Sequence, residues 1–406
     1  MTSQLVLGLG GTVDYEIAWD PAVLEALALE HGIRSGDLDA TIPVVDERSL
    51  VITTLALLRE GRGGERFVSS IDELERFAAR FRYETTLGGT CVRAALAMAR
   101  LGVESTVHLV SIDDTVRALL PPEVSWISSA ERDSTEPHVI VQYPAGAVVR
   151  LADAELVAPH PNRLIFVNDQ PNRELVISPD LDTLARTARV LLVSGFNTIQ
   201  DAGILRDRLD TVVRAIAARP QGAIAIFEDA GSHDASHGVR VRDAMAPVVD
   251  VYGLNEDELF GYLGGPFDLL DPSAAERGLR RAAELIPART LVVHTKHWAV
   301  ALGDDASRWR AALDGAVTMA ATRFRVGDAL DPVEYEATRH LARQRDAVAF
   351  AGELEARFAG RAACVPAYQL EVATPTTIGL GDTFIGGFIA ALAPRGEHAS
   401  TEGDVP

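Results

Sequence analysis

Two cysteines, Cys91 and Cys364, are all that this chain of 406 residues contains. They are too few and too far apart for a disulfide framework or a CxxC metal site. Basic residues are also scarce. The 38 Lys and Arg stand against 58 Asp and Glu, a formal charge of -20, which excludes nucleic-acid binding by broad phosphate neutralisation but leaves room for a local pocket for a small anion. No apolar run approaches the roughly 18 residues that span a bilayer. The start, Met1-Thr2-Ser3-Gln4, carries no basic segment, and the apolar 5–9 stretch is too short for a signal peptide, so a cytoplasmic protein with reduced thiols and no membrane partner is expected.

What is present suits a packed core: 47% of residues are hydrophobic and 24% charged, which disfavours disorder. The length fits about two or three domains, or one large α/β domain with a substantial insertion. Short β-branched or leucine-rich runs alternate with helical patterns, the sign of crossover units around a mainly parallel sheet. Strands are predicted at 4–9, 106–110, 190–193, 223–227, 248–252 and 290–293, each followed within a few residues by a helix. Gly88-Gly89 leads into a helix over 91–101, and Gly381-Asp382 into one over 383–392. Glycines at such entrances let the chain turn tightly and leave amides for an anion. The Ala/Arg/Glu-rich stretch 342–363 reads as surface helix. Near 12–85 and 130–175 denser proline, glycine and charge break the alternation, with strands predicted at 138–143, 148–151 and 164–167. These excursions are expected to form a smaller lid over 13–85 and 131–175, the large domain taking 1–12, 86–130 and 176–406.

The strongest local signal is Gly379-Leu380-Gly381-Asp382, followed by Gly386-Gly387-Phe388. A Gly-x-Gly-Asp at a helix start offers amides to a transferring phosphoryl group and one carboxylate to take a proton from an attacking hydroxyl. The same run also suits a glycine turn with Asp382 as an ordinary N-cap. Asn255-Glu256-Asp257-Glu258 directly follows a strand. Its acids suit Mg2+, which prefers oxygen ligands and bridges phosphates, or equally a helix start matched to its macrodipole. Glu228 and Asp229 end another strand, and ligands of such sheets bind beyond the carboxyl ends of strands. Gly8-Leu9-Gly10-Gly11 lacks the spacing of a dinucleotide fingerprint and reads as a passage from strand to lid.

Taken together, Gly88-Gly89 before a helix, Ser194-Gly195-Phe196, Asn255 to Glu258, His294-Thr295-Lys296 and Gly379 to Asp382 resemble, in order along nearly the whole chain, the ADP-dependent glucokinase and phosphofructokinase family of the ribokinase-like superfamily. The resemblance implies a large α/β domain with a smaller lid, and transfer of a phosphoryl group from ADP to a sugar hydroxyl with AMP as product. It implies Asp382 as general base, an anion hole around Gly379 and Gly381, and Mg2+ served by Glu228, Glu258 and Asp382. Asn255, His294, Thr295 and Gly381 are implied to approach the nucleotide. For the sugar it implies Asp14, Glu65, Gly89, Thr90, His138 and Asp382. In the family a Glu at the position of Glu65 goes with an unphosphorylated hexose, so glucose is the expected acceptor. Arg163 and Arg93 are further candidates outside this set, either for a sugar phosphate or as structural ion pairs. Two features depart from the family pattern: Ile226 stands where a His is usual, and Thr90-Cys91-Val92 follows the double glycine. After Asp382 the run Thr-Phe-Ile-Gly-Gly-Phe is closer to ATP-using sugar kinases, which keeps ATP open as donor.

Overall fold

The computed structural model describes residues 4–232, 234–372, 376 and 378–393. Its larger sheet has nine strands, in the spatial order Ala362–Pro366, Trp298–Leu302, Leu291–His294, Val251–Asn255, Ile224–Glu228, Val190–Val193, Leu5–Gly8, Ser105–Leu109 and Val124–Ser128. From Leu291–His294 to Val124–Ser128 every neighbour is parallel. The two strands at the other end are antiparallel. Helices pack apolar cores on both faces, which is why the central strands are buried on both sides. This is the large α/β domain with a central, mainly parallel sheet flanked by helices that was expected.

The six strands predicted for the large sheet all lie within its parallel run. The fifth starts later than predicted. Val249 is buried in the turn before it, and the Asp250 carboxylate accepts from Ala225 N at 2.9 Å, tying that turn to the neighbouring strand. The reading of 342–363 as surface helix needs correction. Arg345–Arg357 is a helix, but Ala362 and Ala363 open a buried antiparallel strand, because a small apolar side chain fits a sheet covered on both faces as readily as a helix.

A second sheet has five strands, in the order Gly64–Phe67, Asn162–Val167, His138–Tyr143, Thr12–Ile17 and Tyr83–Gly88. Strand alternation divides its two faces. Ile17, Val139, Val141, Tyr143, Leu164 and Phe166 face the helices Pro21–Glu30, Glu47–Glu60 and Ile71–Ala78 in a separate core. The residues between them (Thr12, Asp14, His138, Ile140, Arg163 and Ile165) line a cavity on the other face. Register puts Asp14 beside His138 and Glu65 beside Ile165. Among the described residues no helix is long and apolar enough to cross a membrane.

Candidate active site

Parallel strands end at one edge of the sheet, so the residues at their carboxyl ends are brought together by topology. Glu228, Asn255 and His294 occupy such ends on three adjacent strands. His294 Nε2 lies 2.8 Å from Glu228 Oε1, and its ring stacks on Phe384 at 4.3 Å between centroids. Glu228 stands opposite Gly253 in the next strand, where any Cβ would overlap Glu228 Oε2. The missing side chain is what admits the carboxylate. Burial pushes the Glu228 carboxyl up, the bond to His294 opposes this, and the charges of Asp382 and Asp229 add to it. Glu258 is raised further, by burial first and then by Asp229 and Glu228.

The helix Leu380–Leu392 brings the other half. Gly379 is its N-cap, in the left-handed conformation at φ 68°, and Thr383 N donates to Gly379 O at 2.9 Å as the first turn closes. The amides of Leu380, Gly381 and Asp382 therefore stand outside the intrahelical ladder, a start suited to an anion. Asp382 is the third residue of the helix, not its N-cap, so the capping alternative raised by the sequence does not hold. Gly386 and Gly387 explain their place in the motif. A Cβ at Gly386 would lie 2.7 Å from Ala94 O, and one at Gly387 2.6 Å from Met319 Cβ. The two glycines let this helix pack tightly between the helices Thr90–Ala99 and Arg310–Val326, which holds Asp382 at the sheet edge.

Asp382 and Gly379 border a cavity of about 170 Å3 whose lining also includes Asp14, Glu65, Gly89, Thr90 and His138. Asp14 Oδ1 accepts from Thr12 Oγ1 at 2.7 Å and Oδ2 from Arg93 Nη2 at 2.7 Å. A Cβ at Gly88 would overlap both Asp14 Oδ2 and Thr12 Oγ1, so the first glycine of the pair makes room for this carboxylate. His138 Nε2 meets Asp169 Oδ2 at 3.0 Å, and Nδ1 lies 4.0 Å from Asp14 Oδ1. Burial alone would push the imidazole down. The bond to Asp169 and the charges of Asp169, Asp14 and Glu65 outweigh burial and lift it to about 9, so it is an imidazolium at neutral pH. Asn172 donates to Asp169 Oδ2 at 2.7 Å and to Gly11 O at 2.9 Å from the same amide nitrogen, Nδ2.

The structure thus gathers all the sugar-site candidates around one cavity and puts the nucleotide candidates, with the metal candidates Glu228 and Glu258, outside its lining; the third metal candidate, Asp382, borders it. Asn255 N-caps the helix Glu256–Leu263 in a reciprocal capping box: its N donates to Glu258 Oε2 at 2.7 Å and its Nδ2 to Glu258 Oε1 at 2.8 Å. Thr295 Oγ1 accepts from Trp298 N at 3.0 Å within a turn. A Cβ on Gly381 would lie 3.5 Å from His294 Cε1. Of the two departures, Ile226 is fully buried one pleat from Glu228, and Cys91 is a buried thiol pushed up to about 12 by burial, hence inert. Arg163 and Arg93, left outside the predicted site, both line the cavity. Glu16, Asp169 and Asn172 escaped the sequence reading. The period-two pattern after Gly11 carried a signal for Glu16, which shares a face with Asp14.

The acidic edge fits a divalent cation. Glu228 Oε2 is buried with no hydrogen-bond partner among the described residues, and the carboxyls of Glu228 and Glu258 are raised first by burial and then by neighbouring acids, whose charge a cation offsets. Glu258 has both oxygens engaged by Asn255, which suits contact through water. Asp229 is held by Tyr252 Oη at 2.8 Å and Tyr262 Oη at 2.7 Å. Among the described residues, the one group of three His, Cys, Asp or Glu whose ligand atoms lie within 4.8 Å of one another is Glu30, His31 and Glu47. There Arg80 already donates to Glu47, at 3.0 Å from Nε and 2.9 Å from Nη2.

No match is found among curated proteins. Among solved structures, the chain is similar to a phosphofructokinase from Pyrococcus horikoshii OT3 with AMP: TM-score 0.73, 17% identity, 97% of this chain and 98% of that one covered. It is also similar to an ADP-dependent kinase in complex with fructose-6-phosphate and ADPbetaS, with TM-score 0.70, 15% identity and 96% and 94% covered. A third is the last common ancestor of ADP-dependent phosphofructokinases from Methanosarcinales, with TM-score 0.69, 15% identity and 96% and 93% covered. At these identities the likeness is one of fold. The sequence model described as the ADP-specific phosphofructokinase/glucokinase conserved region matches residues 3–339. The chain therefore belongs to the ADP-specific phosphofructokinase/glucokinase family, a family of ADP-dependent sugar kinases.

Proposed function

We propose that this enzyme transfers the β-phosphoryl group of ADP to a hydroxyl of a hexose, glucose in preference to fructose 6-phosphate, giving sugar phosphate and AMP. The observation that carries this reading is the cavity that joins Asp382 and Gly379 to Asp14, Glu65, Gly89, Thr90 and His138. Asp14 and Glu65 accept from sugar hydroxyls, and the His138 imidazolium donates to one. Asp382 takes the proton of the hydroxyl that attacks phosphorus in line. As the new O–P bond forms, the bond to the AMP oxygen breaks, and the first-turn amides of Leu380 to Asp382 hold the charge on the transferring group. Glu228, Glu258 and Asp382 would serve Mg2+, with Asn255, His294, Thr295 and Gly381 toward the nucleotide. When bound, the ion neutralises phosphate oxygens. The smaller sheet, in segments 13–85 and 131–175, acts as a lid that excludes water, the competing acceptor.

Glucose is favoured by Glu65, whose carboxylate disfavours a phosphate at its side of the cavity. A second reading, fructose 6-phosphate, is favoured by Arg163, a cationic residue that lines the same cavity. Initial rates with ADP and Mg2+, and glucose or fructose 6-phosphate as acceptor, decide between them. A higher kcat/KM with glucose is expected. A higher value with fructose 6-phosphate makes Arg163 the phosphate ligand and reverses the preference.

A further inference from the structure

Arg93 lies on the helix Thr90–Ala99, which starts at the double glycine, and is buried to 9% exposure at the point where this helix, the smaller sheet and the Gly379 turn meet. One nitrogen, Nη2, reaches Asp14 Oδ2 at 2.7 Å, Glu16 Oε1 at 3.0 Å and Thr86 Oγ1 at 3.5 Å. Thr86 in turn donates to Glu16 Oε1 at 2.7 Å. Elsewhere, the side chain packs against the anion-hole turn. A Cβ placed on Gly379 would lie 2.9 Å from Arg93 Cδ, 3.3 Å from Nη1 and 3.5 Å from Asp382 Oδ2. A single arginine side chain therefore bonds the carboxylate proposed to hold the acceptor and lies against the turn proposed to hold the phosphoryl group.

We infer that Arg93 is a positioning residue that fixes Asp14 for the acceptor and, through its packing on Gly379, ties the acceptor site to the phosphoryl site. The chemistry requires such a cation. Asp14 and Glu16 project from the same face of one strand, and without a counter-charge the two carboxylates would repel in a desolvated place. The guanidinium turns one nitrogen, Nη2, to both acids and the other, Nη1, toward Gly379, whereas an ammonium supplies only a compact point charge. Glu16 and Thr86 complete the set by also engaging Nη2, which fixes where it can meet Asp14. The groups that face Asp14 are accordingly Arg93 from the helix, Glu16 from its own strand and His138 from the neighbouring strand.

The inference rests on the reading of Asp14 as an acceptor ligand, and the experiment separates the two. Steady-state constants for ADP and for the acceptor are measured for the wild type, Asp14→Asn, Arg93→Met, Arg93→Lys and the double variant Arg93→Met with Glu16→Gln. Arg93→Met is expected to lower kcat/KM for the acceptor by about 100-fold, chiefly through KM, with KM for ADP within about threefold of wild type. Arg93→Lys restores part of this, leaving a loss of about tenfold, and removing the Glu16 charge in the double variant restores about as much. Unchanged acceptor KM in a folded Arg93→Met, or equal losses for both substrates, overturns the inference while a raised acceptor KM in Asp14→Asn keeps the site reading. Unchanged acceptor KM in Asp14→Asn overturns that reading, and the inference with it. If Arg93→Met does not fold, Arg93→Lys decides alone: a tenfold rise confined to acceptor KM supports the inference, and no rise overturns it.

Discussion

The two halves of the proposed site are built by different means. The proposed phosphoryl half is assembled at the carboxyl edge of a parallel sheet, where short contiguous motifs end strands or start helices: Glu228 with Asp229, Asn255 to Glu258, and Gly379 to Asp382. The proposed acceptor half is a sheet face to which Thr12–Ile17, His138–Tyr143, Asn162–Val167 and Gly64–Phe67 each contribute only one or two side chains, joined by register. The difference teaches that phosphoryl chemistry depends on backbone amides and so constrains consecutive residues. Acceptor choice depends on scattered side chains and is free to vary strand by strand.

Changes on the phosphoryl side should therefore abolish turnover whatever the acceptor. Asp382→Asn is expected to lower kcat by about 10²- to 10⁴-fold, the usual worth of a general base, with ADP affinity by calorimetry within a few fold of wild type. Retained turnover would remove Asp382 from that role. Gly253→Ala is expected next. Its methyl overlaps Glu228 Oε2, so displacement of that carboxylate should raise the Mg2+ concentration needed for half-maximal rate by about tenfold, at an overpacking cost of about 1–3 kcal/mol. An unchanged Mg2+ titration would dissociate Glu228 from the ion.

On the acceptor side, effects should depend on the sugar. Glu65→Gln is expected to cut kcat/KM for glucose by about tenfold and to leave or improve that for fructose 6-phosphate; equal losses would make Glu65 structural. The smallest expected effect is on stability. The folded-state His138 is lifted to about 9 against an unfolded reference of about 6.5. Stabilisation by its pairing with Asp169 is thus complete below about pH 6.5 and is lost as pH rises through about 9. Wild-type unfolding free energy should fall over that window, and His138→Gln should flatten the fall. Parallel pH profiles would place the slope on another group.

The same contrast explains how much was legible in the sequence. The parallel strands are continuous apolar runs, and Gly-x-Gly-Asp states its own geometry, so the large sheet and Asp382 could be read directly. Asp14, Glu65 and His138 were reached through family resemblance, because one polar residue in a strand does not reveal which face or neighbour it has. Arg93 was singled out without its role, since its partners Asp14 and Glu16 are brought beside it by the five-stranded sheet. The antiparallel strands Trp298–Leu302 and Ala362–Pro366 were missed because alanine-rich, doubly buried segments carry neither the alternation nor the β-branched bias of a strand.

The most direct test is the phosphorus balance of the reaction. Phosphorus NMR of purified enzyme with Mg2+ and glucose, given ADP or ATP separately, should show AMP and sugar phosphate rising in equal amounts from ADP, and neither when glucose is left out. Unchanged ADP alongside consumption of ATP to ADP and sugar phosphate would contradict the account.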